Sequence, residues 1–118
     1  MGKTYAVVIG LALTVIGIIG FVKGDAMFMG MSFNLTHNVI HLVSGLVGLG
    51  AGLAGGAKGG RAFAQVFGVV YTIVAIIGFA SWPPSIVTML MLNTNYNIVH
   101  LVVGLLGLAA GFMGGGGD

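Results

Sequence analysis

The chain has 118 residues, of which 58% are hydrophobic, 23 are Gly, none is Cys and 5% are charged. Four basic and two acidic side chains cannot clothe a soluble globule, whose residues are roughly 25% charged, and the mean hydropathy of +1.13 agrees. The composition describes an integral membrane protein. It excludes disulfides, thiol catalysis and thiolate-held metals, and a net charge of +2 spread over four residues makes no basic stripe for nucleic acid.

Four apolar stretches follow one another, Tyr5–Val22, Asn38–Gly55, Ala62–Ala80 and Asn97–Met113, each of 17–19 residues and each free of Asp, Glu, Lys and Arg. A helix needs about 20 residues to cross roughly 30 Å of hydrocarbon, and continuous rather than alternating runs exclude a barrel. The first stretch follows Lys3, is longer than the apolar region of a signal peptide and has no small-residue cleavage site, so it is expected to be retained. Between the first two lies Lys23–Phe33, with Met27, Met29 and Met31; Lys58 and Arg61 are expected in the loop after the second. Pro83 and Pro84 stop the third, Trp82 suits the headgroup boundary, and Ser85–Leu92 has the makings of a short interfacial helix. Methionine in these apolar loops reads as filler, although thioethers also hold copper. Residues 114–118 form a Gly-rich tail expected to be flexible.

The chain is internally duplicated. Residues 5–21 align with 63–79 at eight identities in 17, and 34–52 with 93–111 at 11 in 19. Each repeat, about 5–55 and 63–113, is a two-helix hairpin, and an even number of spans inserts both repeats the same way up. The expected fold is a single all-α membrane domain over 1–118: a bundle of four transmembrane helices made of two tandem hairpins, related by a pseudo-twofold axis along the membrane normal. Lys3, Lys58 and Arg61 fall on one side and Lys23 on the other, where Asp25 offsets it, so both termini are expected in the cytoplasm of a bacterial inner membrane. Gly45, Gly48 and Gly52, matched by Gly104, Gly107 and Gly111, lay small residues along one stripe of each second helix. In lipid, such stripes hold helices together by close packing.

The concentrated polar chemistry is Asn34, His37, Asn38 and His41, matched by Asn93, Tyr96, Asn97 and His100. An Asn at a helix start caps the free amides of the first turn, so Asn34, Asn38, Asn93 and Asn97 are candidate caps. With Asn38 as the cap, His41 takes the third helical position and reaches back as in a capping box; Asn97 and His100 repeat this. The same residues allow a second reading. His41 and His100 are equivalent across the repeat and, with His37 one turn earlier on the same face, are candidate ligands of a haem or chlorophyll. No separate metal site is expected. The Asn34-Leu35-Thr36 triplet also fits a glycosylation acceptor.

Signatures of zinc proteases, serine hydrolases and P-loop enzymes are missing, and no carboxylate lies in a span to relay protons. The expected function is therefore non-enzymatic: an accessory or assembly-forming subunit, packing through its Gly-rich helices into a homo-oligomer or a larger membrane complex, with lipid as its solvent and no nucleic-acid partner. The alternatives are a tetrapyrrole protein of electron transfer or light harvesting, and an oligomeric small-solute channel.

Gly17-Ile18-Ile19-Gly20-Phe21, the run Asn34 to Leu49 with Asn38, His41 and Gly45, Arg61-Ala62-Phe63-Ala64, Gly68-Val69-Val70-Tyr71, Gly78-Phe79, and Asn93, Asn97, His100 and Gly104 together resemble a family of small bacterial four-helix membrane proteins of unknown function. The paired Asn-x-x-His-x-x-x-Gly segments carry most of the likeness. The resemblance implies four transmembrane helices and no assigned activity.

Overall fold

The computed structural model of the chain describes residues 1–23, 27–28, 31–32, 34–90 and 92–113. The Gly-rich tail at 114–118 lies outside them, as do Asp25, Met29 and Met91. Helix α1 covers Gly2–Lys23. Two short strands, β1 (Met27–Phe28) and β2 (Met31–Ser32), pair antiparallel beyond it. Helix α2 covers Leu35–Leu53 and α3 Gly56–Ala80. The six-residue α4, Pro84–Met89, starts on proline, a residue suited to a first helical turn. Helix α5, Thr94–Leu108, widens into a π-turn over Ala109–Met113.

Lys58 and Arg61 do not lie in a loop, because α3 begins at Gly56 and contains both. Gly56 takes φ 61°, a left-handed conformation that glycine enters without cost, so Ala54 and Gly55 suffice to reverse the chain. The added turns are held in place by Arg61, whose Nε donates to the Gly111 carbonyl at 3.0 Å. Gln65 Nε2 donates to the same oxygen at 2.9 Å. A helix end has carbonyls with no partner in its own ladder, and these two donors serve one at the end of α5.

Three helices are long and apolar enough to cross a bilayer: Gly2–Lys23, Gly56–Ala80 and Thr94–Met113. The 19-residue α2 has the length, but Thr36, His37, Asn38 and His41 lower its hydropathy. The described helices turn Val, Leu, Ile and Phe outward, with Leu11, Ile18, Val43, Leu46, Ile73, Ile76 and Leu105 among the exposed side chains. They bury Gly, Ala, Tyr and His. That is the reverse of a soluble domain, and it follows from a solvent that is itself hydrocarbon.

Glycine sets the interhelical contacts. A Cβ built on Gly10 would fall 2.7 Å from the Leu49 amide nitrogen, and one on Gly68 would fall 2.5 Å from that of Leu108. The backbones of α1 and α2, and of α3 and α5, therefore touch. Thr14 Oγ1 returns to the Gly10 carbonyl at 2.8 Å and Thr72 Oγ1 to that of Gly68 at 2.7 Å, which hides a hydroxyl in each seam. All six glycines of the expected stripes face inward: Gly45, Gly48 and Gly52 meet α1 and Gly104, Gly107 and Gly111 meet α3, with Phe63 and Tyr5 also reaching Gly48 and Gly107. Tyr5 and Phe63 lie between the two helix pairs at 6.1 Å between ring centroids, and the Tyr5 hydroxyl donates to the Val103 carbonyl at 2.9 Å.

Gly68→Leu should destabilise the protein by roughly 1–3 kcal/mol or more, because the new side chain meets backbone that cannot yield. Gly50, with no atom within 4 Å of a built Cβ, provides the control. Gly50→Leu should melt in detergent within a few degrees of the parent, while Gly68→Leu should lose most of its monodisperse yield. Equal melting of the two would show that the seam is loose.

Candidate functional site

The site is built where α2 and α5 begin. Asn34 has extended backbone, and its Oδ1 accepts from the His37 amide at 2.7 Å; Asn93 is likewise extended, and its Oδ1 accepts from the Tyr96 amide at 3.0 Å. These are the N-caps. Asn38 and Asn97, also expected as caps, lie one turn inside their helices. The same Asn-x-x-His pattern occurs twice in a row at Asn34 and Asn38, so the pattern alone fits two registers. The outer one is adopted because the polar turn gains partners from the neighbouring connection: Asn34 Nδ2 donates to the Met89 carbonyl at 2.9 Å, and the His37 ring reaches the Leu90 carbonyl. With its amide so engaged, Asn34 acts as an anchor between α2 and α4. Asn38 and Asn97 instead press their side-chain amides onto Gly20 and Gly78.

The shift of register carries His41 out of the first turn and into the protein. One ring nitrogen from each of His37, His41 and His100 lies within 4.8 Å of the others, and all three residues are buried. The rings of His37 and His41 are 4.2 Å apart between centroids, and those of His37 and His100 are 5.8 Å apart. Tyr96 stacks on His37 at 4.5 Å and on His100 at 5.6 Å. Tyr71 stacks on the other side of the cluster, 5.6 Å from His100. The three histidines, Ser44 and Tyr71 line one cavity of about 150 Å³, and a second cavity of about 40 Å³ adjoins His41 and His100.

His37 Nδ1 lies 3.0 Å from the Leu90 carbonyl oxygen. A carbonyl only accepts, so the proton sits on Nδ1 and the lone pair on Nε2. His41 Nδ1 and His100 Nδ1 are buried and have no hydrogen-bond partner among the described residues. Unpaired polar atoms of this kind cost on the order of 1–3 kcal/mol each, and two of them converge here.

A haem or chlorophyll does not fit. His41 and His100 are brought to one site, but the His37 ring stands against both, and the cavities are smaller than the roughly 300–1,000 Å³ of small-molecule pockets. Ser44 and Tyr71 were not singled out from the sequence. Their signal lies in mismatches between the aligned segments: Ser44 aligns with Val103, and Tyr71 with Leu13. A polar residue where the aligned segment is apolar marks where the two differ in chemistry.

Helices with large apolar side chains outside and glycine, histidine and tyrosine inside define an α-helical membrane protein. Residues 3–113 match the family described as Domain of unknown function DUF4383, and the chain belongs to that family. No curated protein and no solved structure matches it.

Asn93→Ala should lower stability by about 1 kcal/mol, the usual worth of an N-cap. Asn34→Ala should cost more than a cap alone, because it also releases Met89. Thermal melts against the parent in one detergent test this, and a loss for Asn34→Ala below about 0.5 kcal/mol would refute its role as an anchor.

Proposed function

We propose that the chain is a non-enzymatic integral membrane protein, an accessory or assembly-forming subunit, whose four long helices all span the bilayer as two tandem hairpins. The observation that carries this reading is the length of the α1–α2 seam. Gly20 meets Asn38 at one end and Gly52 meets Val7 and the Lys3 carbonyl at the other. A helix packed antiparallel along a spanning helix from end to end crosses the same depth, so α2 spans although its polar first turns lower its hydropathy.

The contacts also support the duplication. Gly10 with Leu49 has its counterpart in Gly68 with Leu108, and Gly20 with Asn38 in Gly78 with Asn97. Between the hairpins the contacts exchange: Gly2 meets Arg61 while Gly60 meets Lys3, and Phe63 meets Gly48 while Tyr5 meets Gly107. Such reciprocal contacts are the signature of a twofold relation, here with its axis along the membrane normal.

Those contacts gather Lys3 and Arg61, with Lys58 one turn from Arg61, at one end of the molecule, and Lys23 closes the opposite end of α1. Three basic residues against one favour both termini in the cytoplasm, and a bacterial inner membrane is the setting proposed. Lateral assembly, as a homo-oligomer or within a larger complex, uses the outward Val, Leu and Ile surface, because the glycine seams are already closed within the chain.

Reporter fusions joined after Lys23, Gly55, Trp82 and Met113 should read external, cytoplasmic, external and cytoplasmic in turn. An external reading at Gly55 would reverse the orientation, and like readings at Lys23 and Gly55 would remove α2 from the membrane. Particle masses in lipid nanodiscs should exceed one chain; a strictly monomeric population would overturn assembly.

A further inference from the structure

We propose that His37, His41 and His100 form a binding site for one monovalent copper ion, Cu(I), in the outer half of the bundle. This rests on the buried cluster alone and holds whether or not the chain assembles with others. One ring nitrogen from each residue already lies within 4.8 Å of the others, against about 3.3 Å between nitrogens that share a metal at roughly 2.0 Å. Small rotations of the rings close that gap into the shared cavity of about 150 Å³.

Two features of the surroundings belong to a metal site. The Leu90 carbonyl takes the proton of His37 Nδ1 at 3.0 Å, the outer hydrogen bond that fixes tautomer and ring orientation in histidine ligands and leaves Nε2 free to coordinate. His41 and His100, at 5% and 4% exposure, each hold an Nδ1 without a hydrogen-bond partner among the described residues. A core that packs histidine only for its volume has no reason to gather three of them with two unsatisfied nitrogens.

The choice of metal follows from charge. Imidazole suits zinc, copper, iron and nickel. The described residues include no Asp or Glu, so no carboxylate among them faces the site. Three imidazoles ligate as neutral groups, so an ion bound here keeps its whole charge in a medium of low dielectric constant. That cost grows with the square of the charge, so a divalent ion meets about four times the penalty of Cu(I), which also accepts three nitrogen ligands.

The test uses the full chain in lipid nanodiscs. Cu(I) is supplied under reductant from its bicinchoninate complex, and Zn(II) is supplied separately against a chromophoric chelator. The expected result is one Cu(I) per chain after competition, with an X-ray absorption spectrum of nitrogen scatterers near 2.0 Å and an imidazole pattern. His41→Gln and His100→Gln should each weaken binding at least about 10-fold, and the triple His→Gln variant should retain none. Helicity and elution volume check the fold of each variant; if a variant fails to fold, the spectrum of the parent protein decides. Sulfur scatterers in that spectrum, copper kept by a folded triple variant, no copper retained at all, or tighter histidine-dependent binding of Zn(II) would each overturn the proposal.

Discussion

Backbone contact between α1 and α2, and between α3 and α5, is the constraint on which the rest depends. Without a hydrophobic force to gather helices in lipid, association relies on dispersion over closely matched surfaces and on hydrogen bonds that have nowhere else to go. Glycine at 10, 45 and 48, and again at 68, 104 and 107, lets the chain approach itself until peptide meets peptide. Each pair then leaves little room between its helices. The larger buried side chains collect where the pairs face each other, Tyr5 and Phe63 toward one end and the histidines and Tyr96 toward the other. The polar cluster is a product of that division of space as much as of its own chemistry.

The division also explains why so much polarity is tolerated inside. Asn38 and Asn97 are seated on Gly20 and Gly78, positions that only a residue without a side chain leaves open. His37 and Asn34 are satisfied by successive carbonyls, Leu90 and Met89, at the end of α4. The remainder divides in two: the Nδ1 atoms of His41 and His100 lie around a single cavity, and the Oδ1 atoms of Asn38 and Asn97 stay in the seams against Gly20 and Gly78.

Much of this was legible in the residues. The apolar runs located four helices, and the match of Gly10, Gly45 and Gly48 with Gly68, Gly104 and Gly107 marked the faces that touch. Helix starts were less legible. Asn34 and Asn38 offer the same capping chemistry four residues apart, and the choice is made by Met89 and Leu90, which bond Asn34 and His37 from 55 and 53 residues away in sequence. The early start of α3 was hidden likewise, because glycines at 55, 56, 59 and 60 read as a loop until Arg61 and Gln65 meet the end of α5. The gathering of His37 with the repeat-related pair was beyond pattern alone. It depends on the rotation of α2 about its axis, which the glycine contacts fix.

The two bonds from α2 to the end of α4 have a mechanical consequence. Trp82, 70% exposed, sits just before α4 on the connection between α3 and α5. Asn34 and His37 are fastened to that connection through Met89 and Leu90, and His37 stacks on Tyr96 and packs against the tilted ring of His41. Any displacement of that connection therefore reaches a buried imidazole through a single carbonyl, so the surface segment and the innermost polar groups of the protein form one mechanical unit.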